Sequence, residues 1–300
     1  MKKKTYLFAL MAMVLTLGSC SDNENGIGGE TSKYITVSTS IGNMTRVATD
    51  AKGGQTFEEG DEISVYAWTG DATIAPDASE RVVNNAINKL TSSSWVSTPQ
   101  MLWKNNRDKH YFIGVYPTAA ISDLSAGEYT FDANKQTESD LLVAVNPDGL
   151  SYSADAQQTV PLTFTHVMAK LAVNLTYKNQ WGGIPTVEKV VVGNAAKEAT
   201  INYLTKVVTP STTAKEDFSL PEITENTKYV SVIIPQEEVT QLTIVIGGKN
   251  FVYDNGTPFK LESGKITTVN LEVGRDEIKL GDVKITNWED GSTFSGEALN

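Results

Sequence analysis

"PLTFTHVMAKLAVNL" (residues 161–175) reads as two consecutive β-strands with almost nothing between them. Apolar and polar residues alternate through "PLTFTH" and again through "LAVNLTY" (171–177), the period of two that places side chains on opposite faces of a sheet. The first strand reads as the last of one β-sandwich and the second as the first of the next, with the boundary near Thr165. The polar stretch "SADAQQTV" (153–160) leads into this junction.

The same short-period pattern extends in both directions. "YITVSTSI" (34–41) sets Ile35, Val37 and Ile41 on one face and Thr36, Ser38 and Ser40 on the other. "EISVYAW" (62–68) follows the turn-like Glu59-Gly60-Asp61, and "HYFIGVYP" (110–117) and "LLVAV" (141–145) read as further strands. Beyond the junction come "VEKVVVG" (187–193), "YVSVIIP" (229–235) and "ITTVNLEV" (266–273). "LTIVIGGKNFVY" (242–253) is two apolar runs around Gly247-Gly248, a two-residue hairpin signal. "SERVVNNAINKL" (79–90) is the one stretch that suggests a helix, and "YDNGTPF" (253–259) reads as a turn. Many short strands with almost no helix predict an all-β protein of two tandem sandwich domains, at 33–165 and 166–300.

The start of the chain has another purpose. Lys2, Lys3 and Lys4 precede the apolar run Tyr6 to Leu17, which is too short to span a bilayer and has the form of a secretory signal peptide. Leu17-Gly18-Ser19-Cys20 resembles the lipobox of bacterial lipoproteins, which implies a signal peptide over 1–19 and acylation of Cys20, the sole cysteine. One cysteine cannot form an internal disulfide. Residues 20–32 are polar and glycine-rich, a flexible tether, and Asp22 and Glu24 resemble the export signal of surface lipoproteins in Bacteroidetes. Acyl chains then anchor the precursor to the outer membrane, facing outward, by burying methylenes at ~0.8 kcal/mol each.

Charge and residue inventory narrow the function. The formal charge of −11 becomes −14 once the three lysines of residues 1–19 are removed, which argues against nucleic acid as a partner. Neither His110 nor His166 has a second histidine, a free thiol or a spaced carboxylate set beside it in sequence, so both read as structural, with no catalytic residue, metal site or cofactor expected. Glu58, Glu59, Asp61 and Glu62 read as a solvated acidic turn. The five tryptophans, Trp68, Trp95, Trp103, Trp181 and Trp288, read first as core. Trp95 and Trp103 flank the polar "VSTPQML" and are the pair expected to be most exposed, as stacking platforms for a host glycan or protein.

"FEEGDEISVYAW" (57–68), "YFIGVYP" (111–117), "DLLVA" (140–144), "PLTFTHVMAKLAVNL" (161–175), "SVIIPQ" (231–236), "GKITTVNLEV" (264–273) and "ITNWEDG" (285–291), in this order behind a lipobox, resemble the fimbrillins of Bacteroidetes, the Mfa-like subunits of type V pili. The resemblance implies two transthyretin-like sandwiches and a structural subunit of a cell-surface fimbrium, serving adhesion and biofilm formation. It also implies assembly with other fimbrial subunits by β-strand addition. An arginine-specific protease removes the first strand, and a neighbour's strand refills the groove.

On this chain the processing site falls at Arg46, leaving Val47 as the new N-terminus and releasing the core residues Ile35, Val37 and Ile41. At the other end, Ile278 and Leu280 are in one phase and Val283 and Ile285 in the other, with Gly281-Asp282 at the change, which suggests a bulge or turn. A strand so broken is a poor donor, which favours a tip or accessory subunit over a stalk subunit. A lipidated binder that never polymerises is the alternative from a different class.

Overall fold

The structure is a computed structural model that describes residues 33–42, 56–153 and 158–288. Among these residues there is no helix. The first half contributes β1 (Thr36–Ile41), β2 (Glu62–Thr69), β3 (Val83–Thr91), β4 (Ser94–Thr98), β5 (His110–Tyr116), β6 (Gly127–Thr130), β7 (Leu142–Leu150) and β8 (Thr159–His166). All but β6 form one sheet in the order β1-β8-β7-β5-β2-β3-β4. Each neighbouring pair is antiparallel except β1 and β8, which run parallel from Thr36 opposite Thr159 to Ile41 opposite Phe164.

That sheet curls until its ends meet. Ile35 donates its N–H to the Met101 carbonyl at 2.9 Å, and Trp103 donates to the Lys33 carbonyl at 3.1 Å. The segment after β4 thus borders the start of β1. Curling explains why β2, β5 and β7 are apolar on both faces, a pattern that a simple two-layer sandwich strand would not show. Ile63, Val65, Ala67, Phe112 and Leu142 face inward into the first half's own core. Tyr66, Trp68, Ile113, Val115 and Val143 face outward and join a second core shared with the rest of the chain.

The second half contributes β9 (Ala169–Tyr177), β10 (Val187–Ala196), β11 (Glu198–Asn202), β12 (Val207–Pro210), β13 (Lys215–Ser219), β14 (Glu222–Thr224), β15 (Lys228–Ile233), β16 (Gln236–Ile246), β17 (Lys249–Leu261), β18 (Lys265–Val273) and β19 (Ile278–Asn287). Sheets of order β13-β10-β16-β17 and β14-β15-β9-β18-β19 bury their apolar faces in the shared core. A third sheet, β12-β11-β6, takes β6 from the first half, so the halves are joined by a ladder as well as by the chain.

At the junction only Val167 and Met168 separate β8 from β9, and both are buried. His166 Nδ1 lies 2.8 Å from Asp140 Oδ1, and the imidazole stacks on Trp288 with centroids 4.0 Å apart and planes 7° off parallel. Lys170 lies 4.0 Å over the same indole, and the backbone N–H of Trp288 donates to the Gly264 carbonyl at 3.0 Å. The end of β19 is thereby fixed against both halves.

Two expectations are corrected. Residues 79–90 carry strand β3 rather than a helix. Asn85 has φ of 57°, and three residues from Val83 to Ala86 advance against two from Val65 to Ala67 on β2. This bulge converts an alternating pattern into an i, i+3 spacing that imitates a helix. "YDNGTPF" is likewise part of β17, where the register slips between Asp254 and Phe259 opposite Gln241 and Val239. The Gly247-Gly248 hairpin is present, with φ of 58° and 72°. The phase change near Gly281 is also present, as a register shift opposite Asn270 and Leu271.

Two substitutions probe this packing. A Cβ on Gly114 would lie 2.6 Å from Phe164 Cζ and 3.1 Å from Leu162 Cδ1. Gly114→Ala therefore lowers stability by ~1–3 kcal/mol in urea titration. Trp288→Ala empties a buried site at the junction and costs about 3 kcal/mol or more in the same measurement.

Candidate functional site: the β1 slot

The first strand, β1, is attached to its sheet by buried side chains and by backbone bonds. Ile35 and Val37 are buried, at 2% and 6% exposure, and Ile41 is half-buried against the same core. Val160, Leu162 and Phe164 of β8, with Met101 and Trp103, form the walls around them. Thr36, Ser38 and Ser40 are exposed, so the alternation read from the sequence is the alternation of burial. On the outer face Thr36 and Thr159 bring their hydroxyl oxygens within 3.3 Å, and Ser40 and Thr163 within 3.2 Å.

The strand is held unevenly along its length. Its first residues are hydrogen-bonded on both edges, to β8 and to 101–103. Further along, β1 and β4 diverge, and an open groove of about 720 Å3 lies beside the strand, lined by Val37, Thr39, Ile41, Phe57, Ser94 and Trp95 among others. Trp95 bridges this gap by donating its indole N–H to Thr39 Oγ1 at 3.0 Å. Phe57 packs edge-on against Trp95, Tyr116 and Phe164 at centroid distances of 5.3, 5.4 and 5.1 Å, which closes the Ile41 end with aromatic edges. Gly42 follows, donating its N–H to the Phe164 carbonyl at 2.7 Å.

Of the residues singled out from sequence, Ile35, Val37 and Ile41 are thus brought together. Cys20, Arg46 and Val47 lie outside the described residues. Trp103 is buried at 5% and packs edge-on against His110 and Phe112, in keeping with the core reading and not with the stacking platform considered for it. Trp95 is half-buried, with its N–H engaged by Thr39. Sequence reasoning missed Trp95, Phe57 and Gly42 as slot residues, because none belongs to the alternating stretch they surround.

The remaining candidates have structural partners. His110 Nε2 accepts the Lys104 N–H at 3.0 Å, which leaves Nδ1 to donate to the Asp108 carbonyl at 3.1 Å. Both bonds suit the neutral ring, and burial pushes its pKa below the usual histidine value. In the acidic turn, Glu59 accepts the Ser92 N–H, Glu62 pairs with Lys89 at 3.0 Å, and Asp61 accepts the Glu58 N–H at 2.7 Å. Among the described residues no group of three or more His, Cys, Asp or Glu side chains has the geometry to hold a metal ion.

Comparison with known proteins agrees with this architecture. The family model described as Fimbrillin-like matches residues 45–288, beginning just past the end of β1. A protein of Bacteroides uniformis named "Putative fimbrium subunit Fim1C" is 25% identical over 317 aligned positions, covering 97% of each chain. In fold, the chain is similar to crystal structures of a "putative cell adhesion protein" from Bacteroides ovatus, with a TM-score of 0.65 at 17% identity, and of another from Bacteroides uniformis, with 0.63 at 19%. Each covers 85% of this chain, and 98% and 99% of its own length. A match over most of the chain, on an all-β architecture common to fimbrial and adhesion proteins, decides the assignment: the chain belongs to the fimbrillin-like family.

Proposed function

We propose that this protein is a tip or accessory subunit of a cell-surface fimbrium, exported as an outer-membrane lipoprotein through Cys20 and activated by loss of β1. Cleavage after Arg46 makes Val47 the N-terminus, and a strand from a neighbouring subunit takes the vacated place. The role is structural and adhesive, not catalytic, and serves cell adhesion and biofilm formation.

The observation that carries this reading is the attachment of β1. It lies parallel on β8, at the margin of its sheet, and inserts apolar side chains into a core that is otherwise complete. Two fully buried aliphatic side chains correspond to a gross ~3–6 kcal/mol, on the scale of a domain's whole net stability. A subunit that has lost them gains much by accepting a replacement strand, whose backbone pairs with β8 and whose alternate side chains refill the core.

The tip or accessory role rests on β19. That strand pairs with β18 from Lys265 opposite Asn287 to Val273 opposite Ile278, is bulged at Gly281, and is followed by the buried Trp288. A strand so engaged in its own sheet is poorly suited to be handed to a neighbour.

Two measurements test the proposal. Mass spectrometry of protein taken from the surface of native cells finds Val47 as the N-terminus when an arginine-specific protease is present, and acylated Cys20 when it is absent. Finding acylated Cys20 on assembled fimbriae overturns the strand-removal step. In the unprocessed precursor, Ile35→Asp buries an unpaired carboxylate and lowers stability by at least ~2 kcal/mol. An unchanged melting temperature would exclude β1 as a core strand.

A further inference from the structure

The resident strand records what its slot accepts. Four inward positions follow one another at a spacing of two. Positions 35 and 37 are deep and aliphatic, position 39 meets an indole N–H, and position 41 meets the edges of an aromatic cluster. The next residue, Gly42, has little room for a side chain. A Cβ there would lie 2.9 Å from Thr163 Cγ2, so the exposed, β-branched Thr163 would have to leave its rotamer to admit one. Thr163 is itself placed beside Ser40, with the hydroxyls 3.2 Å apart.

Resting on the strand-replacement reading above, we propose that the slot is selective. It takes a strand with the order aliphatic, any, aliphatic, any, hydroxyl, any, aliphatic, glycine, and Trp95 and Thr163 are the residues that enforce the last half of that order. Trp95 does so by offering a donor at the third inward position. A purely aliphatic side chain there leaves the half-buried indole N–H without its acceptor. Thr163 does so by crowding a Cβ at the eighth position.

This order identifies the partner by exclusion. With aliphatic taken as Ile, Leu or Val and hydroxyl as Ser or Thr, it occurs once in the 300 residues, at 35–42. The apolar runs that end in glycine elsewhere fail it. "LTIVIG" (242–247) has Ile244 at the hydroxyl position, and "VNLEVG" (269–274) has Leu271 there. Once β1 is removed, the rest of these 300 residues contains no stretch of this order, and a second processed copy of them offers none either. The occupant is therefore an extended segment of a different polypeptide, a non-identical subunit whose strand has this order.

The test uses the full chain, nicked within residues 43–55 so that β1 is held without a covalent link, and a fluorescent peptide of residues 33–42. The unaltered peptide exchanges into the slot. The Thr39→Val peptide binds about fivefold more weakly, the Gly42→Ala peptide about tenfold more weakly, and the Ser38→Ala peptide equally well. Equal binding by the Thr39→Val and Gly42→Ala peptides overturns the selectivity. If the unaltered peptide fails to enter a nicked chain that remains folded, strand replacement itself is wrong.

A second measurement reads the Trp95 contact without any exchange. In the intact chain, Thr39→Val and Trp95→Phe give stability losses that are less than additive in the double variant, because either change removes the same bond. Full additivity overturns the role of Trp95. Finally, protein processed to Val47 remains unpolymerised on its own, and self-assembly into fibres would overturn the requirement for a non-identical donor.

Discussion

The parallel ladder between β1 and β8 is the constraint on which the first half depends. It joins residues more than 120 positions apart, and it supplies the strand that lets a seven-stranded sheet curl until its margins meet at 33–35 and 101–103. A parallel contact between distant strands closes a long loop and costs entropy before it returns any burial. It persists because Ile35 and Val37 deliver that burial at once, into walls formed by β8 and by the segment after β4. The pairing is held chiefly by Ile35 and Val37 and by the backbone ladder to β8, with the bonds to 101–103 securing its start.

The two cores divide the consequences of losing β1. The inner core of the first half contains Ile35 and Val37, whereas the outward faces of β2, β5 and β7 belong to the core shared with the second half. Tyr66, Ile113 and Val143 are buried in the shared core with no contribution from β1. The sheet of β6, β11 and β12 and the stack of His166 on Trp288 also join the halves without it. Removal of the strand would open one core and leave the contacts of the junction and the second half in place.

Most strands were legible because alternation survives wherever one face is buried and the other wet, as in 34–41 and 266–273. The hairpin at Gly247-Gly248 and the interruption at Gly281 were legible because glycine and phase change are local signals. Bulges concealed the rest. At Asn85 an added residue turned strand spacing into helix spacing, and in β17 a register slip absorbed a turn-like sequence into a ladder. The slot was half legible. Its occupant could be read from its own alternation, but Phe57, Trp95 and Thr163 meet it only through the curl of the sheet, which no short stretch of sequence encodes.

The uneven grip on β1 bears on how it could leave. At its start, the strand would have to break bonds on two edges, to β8 and to Met101, while withdrawing the buried Ile35. At its end, Ile41 is half-buried, the second edge is an open groove, and the bridge across it is a single side-chain bond from Trp95 to Thr39. Opening from the Ile41 end therefore costs less per residue than opening from the Ile35 end. That end is also the one that continues toward Arg46. A cut there would release the tether at the end where the strand is already weakest, so cleavage and displacement would proceed in the same direction. An incoming strand could pair with β8 at Phe164 and Thr163 while Ile35 and Val37 still filled the deep positions. The inner core need never be open along its whole length at one time.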